Sequence, residues 1–241
     1  MRPERGGSGL RLACLITLGC LLGAATAAGT ALVSAAPAQA ATCSAAQANV
    51  EGGRTSFHYG VRGKVYVNTR GAVNAHNNGF VRSLAVIVDN FNWVEIGWSA
   101  HIAGTTSPQV FAEWENQGRG GSQNYKLVSY DTNYRFRIRN DGHIGIFRFY
   151  FDGEASPFEF SPTMSFNTGR PIGNSERKNW CQSLWAHLFN LNDQISSGAW
   201  QTWGNWAFCL NSSRRNPHYM HKNSSTEFHV TGTSPNNMTC I

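Results

Sequence analysis

Charge is scarce in this 241-residue chain: Asp, Glu, Lys and Arg make up 14% of it, and only 14 residues are acidic. The 20 lysines and arginines are scattered along the sequence rather than clustered, which argues against a nucleic-acid footprint. A positive balance of this size mostly serves solubility. Beyond residue 40 no stretch is long and apolar enough to span a bilayer. No G-x-S-x-G string occurs, which removes the nucleophile-elbow serine hydrolases. The glycine-rich "GRGGSQ" follows a strand pattern but opens no helix, so it cradles no phosphate. No cysteine has a partner at zinc-ligand spacing, and the His218/His221 pair lies in an expected loop without a third ligand. No metal and no cofactor is therefore expected.

What is present begins with a leader. "MRPERGGSGLR" is basic, "LACLITLGCLLGAATAAGTALV" is apolar, and "APAQA" closes it with small residues, the layout of a secretory signal peptide cut after Ala40. The expectation is an exported, extracellular chain, with residues 41–241 forming one domain that carries 17 basic and 13 acidic residues, a net +4. Cys14 and Cys20 leave with the leader. Cys43, Cys181, Cys209 and Cys240 remain, an even number in an exported protein, so two disulfides are expected. Three connectivities are open, of which Cys181–Cys209 with Cys43–Cys240 is favoured because it ties the two ends together.

From Phe57 onward the hydrophobic pattern has period two. "FHYGVRGKVYVN", "FVRSLAVIVDN", "WVEIGWSA", "PQVFAEWE", "YKLVSYD", "YRFRIRN" and "HIGIFRFYFDG" are each rich in branched and aromatic residues and interrupted by turn formers. In "YRFRIRN", Phe136 and Ile138 face one way while Arg135, Arg137 and Arg139 face the other, marking a strand with one wet face. Asp141–Gly142 signals a hairpin into the next strand. "ERKNWCQSLWAHLFNLN" fits strand or short helix, "GAWQTWGNWAFCLN" and "TEFHVTG" read as strands, and residues 211–224 read as an exposed loop. Strands about every ten residues without intervening helices imply an all-β antiparallel sandwich or jelly roll, and a monomer.

"NWVEIGW" places a carboxylate between two tryptophans. In a strand Trp93, Glu95 and Gly97 share one face, and Val94, Ile96 and Trp98 share the other, which is the obvious core face. Glu95 then points to the second surface, where a curved sheet forms a groove and aromatic neighbours would raise its pKa, as suits a proton donor or base. Glu176, in "RPIGNSERKNWC", is the candidate partner in the polar segment ahead of an apolar stretch, so that one carboxyl activates water while the other donates to the leaving group. Glu113 and Glu115, opposite Trp114 in "FAEWEN", compete for that position. Trp93, Trp114 and Glu113 are expected to line the substrate groove.

"VEIGW" resembles the "IEAGW"-type segment that carries the first catalytic glutamate of neprosin-like glutamic peptidases, and "SPQVFAEWENQG" follows where those proteins have an "RLFTYWTADGY"-like strand. The resemblance implies a secreted β-sandwich working in acid, in which two carboxyls, or a Gln/Glu pair in the fungal branch, activate water against a peptide carbonyl. It carries Glu95 onto the first catalytic position. The family's second glutamate stands in a "WGGEV"-like strand, a string absent here; "NSERKN" is the nearest candidate and assigns Glu176. The chain also resembles a group of secreted bacterial proteins with "WVEVGW", "RFYFDG" and "NSER" segments, a likeness that implies no activity. Abundant tryptophan leaves a second class open, a carbohydrate-binding module or glycosidase, because an indole face complements a pyranose ring. A noncatalytic secreted protein is the third. The expected partner is thus a polypeptide or polysaccharide, with no nucleic acid and no membrane.

Overall fold

Alternating branched and aromatic residues fold here as they should: every regular element among the described residues is a β-strand. The computed structural model describes residues 48–68, 80–100, 107–142, 144–177, 186–196, 198–204, 208–211 and 219–231. The expected leader, Cys43, Cys181, Cys240 and His218 lie outside them, as does the side chain of Cys209, so the disulfides are left as an expectation. No helix among the described residues is long and apolar enough to cross a membrane.

The strands are β1 (Ala48–Gly53), β2 (Gly60–Val67), β3 (Phe80–Asp89), β4 (Asn92–Ala100) and β5 (Gln109–Asn116). There follow β6 (Arg119–Leu127), β7 (Thr132–Arg139), β8 (Arg148–Phe151), β9 (Glu159–Phe160) and β10 (Arg170–Arg177). The last are β11 (Ala186–Ser196), β12 (Ala199–Thr202), β13 (Phe208–Asn211), β14 (Tyr219–Ser224) and β15 (Glu227–Thr231). They form two sheets, one in the order β13-β1-β10-β3-β4-β5-β6 and the other β14-β15-β11-β2-β7-β8-β9, with β12 beside β11. The pairings of β3, β4, β5 and β10 are all antiparallel. This is the expected antiparallel β-sandwich.

The core lies between the sheets. Leu84 and Val86 of β3 and Val94, Ile96 and Trp98 of β4 join Val61 and Val65 of β2 and Phe136 and Ile138 of β7 in one fully buried cluster. Each such side chain contributes roughly 1.5–3 kcal/mol on leaving water. The period-two rule then sends every alternate residue of β3, β4, β5 and β10 to the outer face of the first sheet.

Several elements depart from the sequence reading, each for a local reason. "GRGGSQ" is the first half of β6, entered through a two-residue turn in which Gln117 (φ 54°) and Gly118 (φ 77°) both adopt left-handed backbone between the paired Asn116 and Arg119. That geometry suits the twist of a hairpin and makes the glycines part of it. "RPIGNSER" is not a polar lead-in but β10, a central strand: its core-side residues Pro171, Gly173 and Ser175 are small, so no apolar alternation shows. "YKLVSYD" ends as a strand at Leu127. Only Arg148–Phe151 of "HIGIFRFYFDG" is strand; it pairs antiparallel with β7, as the hairpin signal at Asp141–Gly142 implies, but through a connection longer than two residues. Of "ERKNWCQSLWAHLFNLN", the part from Ala186 on is strand β11. "GAWQTWGNWAFCLN" splits into β12 and β13, which join different sheets. Tyr219–Ser224, taken for loop, is strand β14.

Candidate active site

Strand parity decides which side chains meet. On β4 the outward set is Trp93, Glu95, Gly97 and Ser99; by register these stand opposite Ile87, Ala85, Ser83 and Val81 of β3 and Glu115, Glu113, Phe111 and Gln109 of β5. On β10, Asn174 pairs with Ser83 and Glu176 with Val81, so both belong to the same outer face. Glu51 of β1, opposite Asn174, joins them. The face therefore gathers Glu51, Glu95, Glu113, Glu115 and Glu176 from a chain with few acids. The two expected catalytic carboxyls are on one face, Glu176 two strands from Glu95 and two outward positions along.

Glu95 is the best-defined member. The Ser83 hydroxyl donates to its Oε1 at short range, and Asn174 Nδ2 donates to the same oxygen at 3.3 Å. Burial raises its pKa first, and the charges of Glu113 and then Glu176 add to that; the two hydrogen bonds work the other way and lose, leaving the group raised from 4.5 to about 8. Glu95 is thus a neutral acid at pH 7. Since both donors occupy Oε1, the proton belongs on Oε2, where it can be given away.

Gly97 explains how Ser83 reaches it. A Cβ built on Gly97 would lie 2.1 Å from the Arg82 carbonyl oxygen and 2.7 Å from the Ser83 Cβ, so only glycine lets β3 come this close beside Glu95. The glycine serves strand approach. Behind the face, the fully buried Arg82 donates from Nη1 to the Glu176 carbonyl at 2.9 Å and to the Val81 carbonyl at 2.7 Å. It fixes the backbone that carries Glu176.

Trp93 is half-buried on the Glu95 face. Trp114 is not there: it sits on the opposite side of β5 from Glu113 and Glu115, packed on the core with its ring 6.2 Å from that of Phe149 and tilted by 26°. The expected substrate contact at Trp114 is therefore corrected to a core contact, because β5 alternates and Glu113 takes the outward position. Ser83, Asn174 and Arg82 were missed. Their signal was a polar "RS" inside the apolar run "FVRSLAVIV" and an Asn two residues before Glu176, spacing that puts both on one strand face.

One set of described residues could hold a metal ion, and it is elsewhere. His187 of β11 and Glu227 and His229 of β15 place their ligand atoms within 4.8 Å of one another. Glu227 Oε1 already receives His187 Nε2 at 2.8 Å and Asn223 Nδ2 at 3.3 Å, which accounts for the cluster as a hydrogen-bonded surface group.

No family model and no curated protein sequence matches the chain. Among solved structures, scytalido-glutamic peptidase with a peptide-based transition-state analogue superposes on 80% of this chain and 100% of its own, with a TM-score of 0.55 at 10% identity. SCP-B, a peptidase of the eqolisin family in complex with the tripeptide Ala-Ile-His, covers the same shares with a TM-score of 0.50 at 9% identity. A Bacillus licheniformis β-glucanase overlaps 53% of the chain at a TM-score of 0.37, too little to weigh. At these identities the likeness is one of fold: the chain is similar to glutamic peptidases in the arrangement of its strands.

Proposed function

We propose that the chain is an exported hydrolase that cleaves peptide bonds with a carboxyl pair, Glu95 and Glu176. One observation carries the reading: Glu95, whose pKa burial raises to about 8, shares a sheet face with Glu176 in a fold similar to that of glutamic peptidases. In this reading Glu176 takes a proton from water as its oxygen bonds to the scissile carbonyl carbon. Glu95 gives its Oε2 proton to the amide nitrogen as the carbon–nitrogen bond breaks. The proton held by Glu176 then returns to Glu95 through solvent, closing the cycle. General acid–base action by a placed carboxyl supplies about 10²–10⁴-fold per group. Trp93 and Glu113, on the same face, would contact the substrate chain. Export follows from the leader-like first forty residues.

The test is cleavage of a denatured protein between pH 4 and 7. Wild type should cleave it, and Glu95→Gln and Glu176→Gln should each lower kcat/KM by about 10²–10⁴-fold with the fold intact. Cleavage unchanged in either variant removes that residue from the pair. Turnover or binding of a polysaccharide panel without peptide cleavage transfers the site to the carbohydrate class.

A further inference from the structure

The second sheet presents a different chemistry on its outer face. Arg62 of β2 stands directly opposite Arg137 of β7, and Lys64 opposite Arg135. Like charges in such positions repel and destabilise a sheet. One strand further on, Arg139 opposes Arg148, but there Asp141 lies 2.5 Å from Arg139 Nε and 3.3 Å from Arg148 Nη1 and neutralises the pair. Among the described residues no carboxylate lies within ion-pair distance of Arg62 or Arg137, although the Asp141 charge still acts on Arg137 from farther off. Their side-chain hydrogen bonds are to neutral acceptors, Asn192 Oδ1 at 3.4 Å and the Glu154 carbonyl at 3.3 Å, and neither makes an ion pair among the described residues. Arg137 Nε is buried without any hydrogen-bond partner. Burial, and next the positive charge of Arg139, lowers the Arg62 pKa.

These residues border a cleft of about 310 Å³ lined by Arg62, Lys64, Arg135, Arg137, Tyr150 and Asn192, with no acidic side chain among the described residues of its wall. Both guanidinium groups are held against aromatic rings, Arg137 3.9 Å from the centre of Tyr150 and Arg62 4.5 Å from that of Trp200. A ring-stacked guanidinium keeps its N–H edge free to grip a planar or tetrahedral oxyanion, and little rotamer freedom is left to lose. Four cations around one small cleft match a dianion better than a single carboxylate. The volume is at the low end for small-molecule sites, enough for the anion and one sugar ring.

We propose that this cleft binds a phosphate or sulfate group, either free or esterified to a saccharide. The site is on the other sheet from Glu95 and stands or falls apart from the peptidase reading. The test uses the full exported chain in dilute phosphate-free buffer, with calorimetric titration and thermal melting. Inorganic phosphate and a sulfated heparin disaccharide are the probes, and maltose is the uncharged control. The expected result is one site per chain and a raised Tm with phosphate or the sulfated disaccharide, and none with maltose. Tighter binding of the disaccharide assigns the ester; tighter binding of phosphate assigns the free ion. The double variant Arg62→Gln/Arg137→Gln should weaken binding at least ten-fold, while Arg119→Gln, an exposed cation of β6, should leave it unchanged. If the double variant does not fold, Lys64→Gln, whose ammonium merely overlies the Phe189 ring at 5.5 Å, carries the test with a several-fold loss. Absence of binding by both anions, equal binding of maltose, or an equal loss in Arg119→Gln overturns the proposal.

Discussion

Glu95 of β4 and Glu113 of β5 stand directly opposite each other across paired strands, both on the outer face of the first sheet. Two ionised carboxylates so placed would repel. The structure resolves this by holding a proton on Glu95, whose pKa of about 8 arises first from burial and then from the Glu113 charge. The buried acid and the cross-strand acid are one device, and the predictions below follow from it.

The first concerns stability. The folded chain keeps the Glu95 proton up to about pH 8, whereas the unfolded chain releases it near 4.5, so between those values the unfolded state binds fewer protons. The contribution of Glu95 to stability is full below about pH 4.5 and is lost as pH rises toward 8, at up to about 1.4 kcal/mol per pH unit. Glu95 keeps some solvent contact, which reduces the whole to a few kcal/mol. Denaturant melts at pH 5 and pH 8 should show wild type losing stability relative to Glu95→Gln by about 1–4 kcal/mol across that interval. A constant difference contradicts the burial of the proton.

Glu113→Gln removes the larger of the two like charges acting on Glu95. Since activity needs protonated Glu95, kcat/KM should fall as pH rises through about 8 in wild type. In Glu113→Gln the same limb should move toward acid, yet stay above the ordinary carboxyl range, because burial is the larger cause. A pH–rate profile of the two proteins measures this; a limb that does not move separates Glu113 from Glu95.

Gly97→Ala introduces a Cβ 2.1 Å from the Arg82 carbonyl oxygen and 2.7 Å from Ser83. Either the strands part or Ser83 leaves Glu95. The expected loss of stability is about 1–3 kcal/mol, as for overpacking in general, with activity reduced along with it. Ser83→Ala should keep the strands together and raise the Glu95 pKa further, since the Ser83 hydrogen bond is the main effect lowering it. Chemical melts and the pH–rate profile distinguish the two.

Trp114 and Trp93 should separate cleanly. Trp114 packs on the core against Phe149, so Trp114→Ala should cost about 3–5 kcal/mol of stability while leaving the KM of the folded fraction unchanged. Trp93 shares the Glu95 face, so Trp93→Ala should raise KM with a smaller change in Tm. The reverse pattern would place the substrate on the wrong side of β5.

The parity of "NWVEIGW" was readable directly: Val94, Ile96 and Trp98 do form the core face, and Glu95 the outer one. The all-β antiparallel sandwich followed from the same alternation. β10 was hidden because its inward positions are proline, glycine and serine, and small residues leave no hydrophobic period to find. The first half of β6 was hidden because its glycines show no hydrophobic alternation; the Gln117–Gly118 turn pairs Asn116 with Arg119 and starts the strand there. The site suffered from the same limit. Glu95 and Glu176 could be chosen as rare acids near strands, but Ser83 and Asn174 become its partners only through register, which is set by contacts distant in sequence. The arginines of "YRFRIRN" were legible as a wet face; that Arg62 and Lys64 stand opposite them was not.

The most direct measurement is the titration of the Glu95 side-chain carboxyl, followed by carbon-13 NMR of the Cδ resonance, with Glu95→Gln used to assign it. A midpoint near 8, moving toward acid in Glu113→Gln, is the predicted result. A midpoint in the ordinary range near 4.5, unaffected by Glu113, would contradict a proton held between these strands and the hydrolytic site built on it.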